Sequence, residues 1–182
     1  VAFAKIVLNL TNPSVGLLNI GSEELKGNAV LQVAQQMLRS TKCLENYYGF
    51  IEGDDISKGT VDVIIADGFM GNISLKTMEG TARLMTYFLR QALDQSFLSK
   101  VGALLAKPAL RYVKNKLDPS KYNGAPFLGL KGIAVKSHGG TDTSGFYNAV
   151  TVAADMIRKN INQNISAMIL EFSQKLKEDE TL

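Results

Sequence analysis

Val61-Asp-Val-Ile-Ile-Ala66 runs straight into Asp67-Gly-Phe-Met-Gly-Asn72 and then into Ile73-Ser-Leu-Lys-Thr-Met-Glu-Gly80. The first six residues are short and rich in branched side chains, as a strand requires. The next six hold an aspartate and two glycines, which make a turn. A long helix is expected after Gly71, because Leu75, Met78, Ala82, Met85, Leu89 and Ala92 recur by threes and fours. A strand feeding a glycine loop and a long helix is half of a parallel crossover, so this stretch decides the fold class.

The same rhythm extends in both directions. Val15–Ile20 is an apolar run suited to a strand buried on both faces. It leads through Gly21-Ser-Glu-Glu-Leu-Lys-Gly-Asn28 into a helix from about Asn28 to Ser40, with Leu31, Ala34 and Leu38 on its apolar face. Tyr47–Glu52 reads as another strand. Upstream, Val1–Leu10 reads as the end of a helix, stopped by Asn12-Pro13. With no initiator methionine before it, the expectation is a truncated or processed chain, the alternative being ordinary loss of Met from a complete protein. Downstream, a helical segment over about 97–116 is expected to kink near Pro108. A loop over 117–129 follows, then a strand at Gly132–Ser137. One long helix from Ser144 carries Phe146, Val150, Ala153, Ile157, Ile161, Ile165, Met168 and Phe172 on one side, before a fraying polar tail. The expectation is an α/β domain, a mainly parallel sheet covered by helices.

Composition bounds the setting. At 182 residues and 46% hydrophobic, the chain is expected to form one domain over 1–182, with 95–117 as a helical subdomain. Its single cysteine, Cys43, cannot close an intramolecular disulfide, and a reducing compartment is expected. There is neither a secretory signal at the start nor an apolar run near the roughly 18 residues of a membrane span. A cytoplasmic location follows as the expectation.

In a parallel sheet, ligands bind beyond the carboxyl ends of the strands. Three glycine-bearing loops leave strand ends here, each entering a helix. Backbone N–H groups at helix starts, glycines that permit close approach and nearby cations are what a phosphate needs. The first loop offers Gly21, Lys26, Gly27 and Asn28. Lys26 reads as positive charge for phosphate or an oxyanion, or as a solvated lysine; Asn28 reads as an anion contact or an N-cap. The second offers Asp67, Gly68, Gly71, Asn72 and Lys76. Asp67 reads as a group orienting a lysine, as a proton acceptor, or as a turn cap. The third, Ser137-His-Gly-Gly-Thr-Asp142, carries the only histidine, His138, with Gly139 and Gly140. An imidazole there can bind phosphate or protonate a leaving thiolate. Neither of the common glycine-rich nucleotide-binding fingerprints is present, and one His and one Cys far apart do not make a metal site.

Between Asp94 and Asp118 no acidic residue occurs, while Lys100, Lys107, Arg111, Lys114 and Lys116 alternate with apolar residues including Leu104 and Leu105. Such a basic amphipathic segment suits anionic lipid or an acidic protein. It lacks the aromatic platforms of single-strand binders, so nucleic acid is not expected.

In this order and spacing, VGLLNIGSEELKGN (15–28), EGDDI (52–56), ADGFMGNISLKTMEG (66–80) and NGAPFLGLKGIAVKSHGGTD (123–142) resemble the PlsX family of phosphate acyltransferases. The resemblance runs from about Val1 to Lys159 and corresponds to the C-terminal half of a family member. The family's usual A-x-D-x-M-G-G-D motif is not in this sequence. Where family chains more often carry serine and asparagine after the His-Gly pair, Gly140, Thr141 and Asp142 stand here. The resemblance implies a three-layer α/β/α fold akin to isocitrate and isopropylmalate dehydrogenases, with a protruding helical hairpin. It also implies a homodimer at the membrane periphery and the conversion of acyl-acyl-carrier-protein and inorganic phosphate to acyl phosphate for phospholipid synthesis. Lys26, His138 and Asp67 become the catalytic candidates, and no cofactor is implied. Acyl carrier protein is acidic, so the basic segment suits it as well as lipid. Two alternatives stand beside this: a phosphotransacetylase-like enzyme using coenzyme A, and a non-catalytic dimerisation or membrane-binding fragment.

Overall fold

In the computed structural model, which describes residues 1–40 and 46–180, the chain opens as α1 (Ala2–Leu8). That helix stops at Asn9, which adopts the left-handed conformation (φ 56°) that asparagine tolerates. The expected stop at Asn12-Pro13 therefore comes too late. β1 (Val15–Leu18) is buried at all four positions. Asn19 lies beyond it, and Ile20 is exposed, so the six-residue buried strand expected there shortens to four. α2 (Ala29–Ser40) half-buries Leu31, Ala34 and Leu38, the anticipated face, and buries Gln35 with them. β2 (Tyr47–Ile51) follows. The next helix, α3 (Gly53–Lys58), was not expected. Glu52 and Asp55 form a reciprocal capping box that turns the end of the strand into a helix start. β3 (Val63–Ile65) is the narrowed core of the Val61–Ala66 run.

These three strands form one parallel sheet in the order β2-β1-β3. Leu18, Ile51 and Val61 make its buried centre, with Ile56, Ile64 and Ala66 against it. Gly16 is required in β1, because a Cβ there would stand 2.8 Å from Ile51 Cγ2 and 3.1 Å from Val61 Cγ2. At the opposite end from the loops, Ser14 donates both its N–H and its hydroxyl to Asp62 Oδ2, each at 2.8 Å. Those bonds, the backbone one first, hold the Asp62 carboxyl below its ordinary range.

α4 (Gly68–Asp94) is followed by α5 (Phe97–Leu105) and α6 (Lys107–Lys116). The break at Ala106 puts Pro108 in the first turn of α6, where its missing N–H costs nothing. The α4 stripe read from the sequence exists but is not a core in this chain: Leu75, Met78, Met85 and Leu89 are all exposed. Phe69, Ile73, Leu84, Tyr87 and Phe88 of α4 are exposed as well, alongside Lys76, Arg83 and Arg90.

After a 3-10 turn at Pro119–Tyr122, β4 (Ala125–Phe127) pairs antiparallel with β5 (Ala134–Lys136) in a separate two-stranded sheet. This corrects two expectations. The loop over 117–129 contains a strand, and the strand at 132–137 does not join the parallel sheet. Pro126 hid β4; proline is tolerated here because both strands of a two-stranded sheet are edges. The expected single final helix is also two, α7 (Thr143–Arg158) and α8 (Ile161–Glu180), broken where Asn160 turns left-handed (φ 47°). Met156 and Ile161 flank this break and are fully buried. Lys159 reaches from it to the end of α1, its Nζ donating to the Ile6 and Val7 carbonyls at 3.1 and 3.0 Å. Among the described residues no helix is long and apolar enough to cross a membrane. Cys43 lies outside the described residues.

Candidate functional site

The first loop joins β1 to α2. Asn28 caps α2, its Oδ1 accepting the Leu31 N–H at 3.0 Å. Asn19, buried at the end of β1, donates its Nδ2 to the Lys26 carbonyl at 3.0 Å, and Gln32 Nε2 donates to the same oxygen. Ser22 N–H reaches Glu52 Oε1 at 3.2 Å and fastens the loop to the end of β2. Gly27 adopts φ 93°, and a Cβ there would overlap Asn19 Oδ1. Gly21 is buried against the Lys26 stem: a Cβ on it would stand 3.0 Å from Lys26 Cγ. The exposed Lys26 side chain thus leaves a backbone held by two donors.

The second loop is shorter than expected, because α4 begins at Gly68 rather than after Gly71. Asp67 is its N-cap. Its Oδ1 accepts the Phe69 N–H at 2.9 Å, and its carbonyl accepts that of Gly71 at 2.8 Å. Gly71 and Asn72 are therefore already helical, and the first-turn donors left over, among the described residues, are those of Gly68 and Met70. One turn on, Lys76 Nζ pairs with Glu79 Oε2 at 2.8 Å, with Arg83 at 3.7 Å from the same oxygen. The Lys76 hydrogen bond first, and then the charges of Lys76, His138 and Arg83, hold the Glu79 carboxyl below its ordinary range.

The third loop is knotted around Asn123, which the sequence reading passed over. Its Oδ1 accepts the His138 N–H at 2.9 Å. Its Nδ2 donates to Gly145 O at 2.8 Å and Ser137 Oγ at 2.9 Å, with Thr141 Oγ1 at 3.4 Å. His138 Nδ1 accepts the Gly140 N–H at 3.1 Å, so the proton of the neutral ring sits on Nε2. That leaves an exposed ring with an N–H donor available. Gly139 is exposed beside it, and Asp142 caps α7 by accepting the Gly145 N–H at 2.8 Å. Ser137, His138, Thr141, Asp142 and Phe146 line an open groove at this point.

The first two loops leave neighbouring parallel strands, β1 and β3, at the same carboxyl end of the sheet. The third leaves β5 in the other sheet, with the Glu79 carboxyl of α4 within electrostatic range of His138. Asn19, Asn123 and Glu79 were missed. Their signals were an asparagine ending an apolar run, an Asn-Gly pair, and a glutamate three residues after a lysine. Among the described residues no group of three His, Cys, Asp or Glu side chains is placed to hold a metal. Elsewhere, Lys107, Arg111 and Lys114 line a groove along α6, with Leu104 and Leu105 of α5 exposed nearby. Lys100 approaches Asp94 only at 3.9 Å.

A family model described as fatty acid synthesis protein matches residues 1–164. The phosphate acyltransferase of Rhodospirillum rubrum is 53% identical over 163 residues, covering 90% of this chain and 47% of that protein. The phosphate acyltransferase of Paramagnetospirillum magneticum is 52% identical over 163 residues, 90% of this chain and 46% of that protein. That of Brucella canis is 49% identical over 171 residues, 93% of this chain and 49% of that protein. The chain spans about half the length of the curated relatives it matches.

Proposed function

This chain belongs to the fatty acid synthesis protein family, and on that premise we propose that it forms part of an enzyme making acyl phosphate from an acyl-carrier-protein thioester and inorganic phosphate. The observation that carries the proposal is that proteins named phosphate acyltransferase share about half their residues with it over a span holding all three loops. We read those loops as one wall of a phosphate site, in a three-layer fold of the isocitrate and isopropylmalate dehydrogenase kind. Lys26 supplies charge, and Asn72, Lys76 and the His138 Nε2–H supply further donors. Asp67 acts through the helix start it caps, shaping Gly68 to Asn72 around the anion. One phosphate oxygen attacks the thioester carbonyl, the oxyanion collapses, and the carbon–sulfur bond breaks. The proton of the attacking hydrogen phosphate passes to the departing thiolate, which the His138 Nε2–H stabilises by hydrogen bonding, giving acyl phosphate and the free carrier thiol. No cofactor enters this scheme.

The test uses the complete enzyme with matched acyl chains. Acyl phosphate is expected from the carrier-protein thioester, and formation at equal efficiency from acyl-coenzyme A would instead favour the phosphotransacetylase-like alternative.

The hairpin supports a second part of the reading. Its basic groove and exposed leucines suit an acidic carrier protein or an anionic membrane surface. The uncovered α4 stripe suits packing within a homodimer. Leu104→Glu and Leu105→Glu are expected to reduce flotation with anionic vesicles several-fold, since each puts a charge where an apolar side chain would enter the interface. Unchanged flotation of both would remove the hairpin as the anchor.

A further inference from the structure

We propose that Asn123 is the positioning residue for His138, holding the third loop in its phosphate-binding form. The proposal rests on reading the three loops as a phosphate site. Asn123 is 8% exposed, and its side-chain carbonyl and amide are both engaged across separations of 14 to 22 residues. An asparagine offers one acceptor oxygen and two N–H donors. Here the oxygen takes the His138 backbone N–H, and the amide joins the end of β5 at Ser137 to the first turn of α7 at Gly145.

The surroundings leave little room for another arrangement. A Cβ on Gly145 would overlap Thr141 Oγ1 and stand 3.1 Å from Ser120 Cβ. Gly124, with φ 112°, itself lies against α7, where a Cβ on it would be 3.0 Å from Ala149 Cα. The His138 backbone is thereby held by Asn123, and its ring by the Gly140 N–H on Nδ1. These two bonds together set where Nε2 stands. Asn123 touches no substrate in this scheme; it acts through His138.

A purely structural asparagine is available for comparison in the same interface. Asn148 Nδ2 donates to Ser120 O at 2.9 Å, part-buried, and among the described residues its side chain hydrogen-bonds no residue of the loop. Because His138 is the only histidine in the chain, its imidazole NMR resonances are a unique reporter. Inorganic phosphate is expected to shift them saturably in the wild-type chain. Asn123→Ala is expected to weaken that response roughly tenfold, the scale of losing a buried hydrogen-bonding partner, while Asn148→Ala stays within about twofold. Should Asn123→Ala fail to fold, Asn123→Asp carries the test. It keeps the acceptor for the His138 N–H but sets an oxygen against the Gly145 carbonyl, and the same roughly tenfold weakening is expected. Wild-type affinity in the Asn123 variant, or an equal loss in Asn148→Ala, overturns the assignment alone. No phosphate response in the wild type overturns the phosphate site, and the assignment with it.

Discussion

Lys26→Ala in the complete enzyme is expected to lower turnover by about 10²–10³-fold, the scale of losing one donor to a developing oxyanion. The expectation follows from how the lysine is held. Asn19 and Gln32 both grip its carbonyl, so its stem starts from a set position beside buried Gly21. Lys26→Arg is expected to recover only part of the rate, because a planar guanidinium does not place its charge where an ammonium does. His138→Ala should lose about 10²-fold or more through the missing hydrogen-bond donor. Steady-state rates of acyl phosphate formation decide it. If Lys26→Ala and His138→Ala both turned over at the wild-type rate, the mechanism proposed above would be wrong.

The second large effect is expected at Gly27. Alanine there meets two penalties: about 1–2 kcal/mol for a left-handed conformation with a side chain, and an overlap with Asn19 Oδ1 that pushes the buried asparagine off the Lys26 carbonyl. Together these should destabilise the chain by about 2–4 kcal/mol and lower Tm by about 5–15 °C. Gly59 supplies the control. It has φ 69° but nothing within 4 Å of an added Cβ, so Gly59→Ala carries the conformational penalty without the overlap. Equal thermal unfolding shifts for the two variants would show that the Asn19 contact contributes nothing.

The parts of the fold that were legible in the sequence are those where periodicity and burial coincide. The buried β1, the half-buried face of α2 and the branched run at β3 each follow from local side chains packing against one sheet. What was misread turns on single residues whose effect is tertiary or conformational. Asn9 and Asn160 end helices by turning left-handed, which composition does not announce. Glu52 and Asp55 divert a strand into α3 through side-chain bonds to the backbone. The α4 stripe has helical spacing whether or not anything covers it. The site shows the same division. Glycines, Lys26 and His138 stand out by type and place in loops, whereas Asn19 and Asn123 matter only because the fold brings distant donors and acceptors to them.

The clasp between Lys159 and the end of α1 bears on the order in which the chain acquires its structure. Its two hydrogen bonds bridge 153 and 152 residues, and α1 also packs against α8. On a ribosome, α1 emerges long before its partner exists, and at roughly 5–20 residues per second it waits about eight to thirty seconds for α8. Closing so long a loop is entropically costly and comes late, whereas β1, β2 and β3 all lie between Val15 and Ile65. The parallel sheet with its first two loops can therefore assemble early, and the seating of α1 is left to the final step.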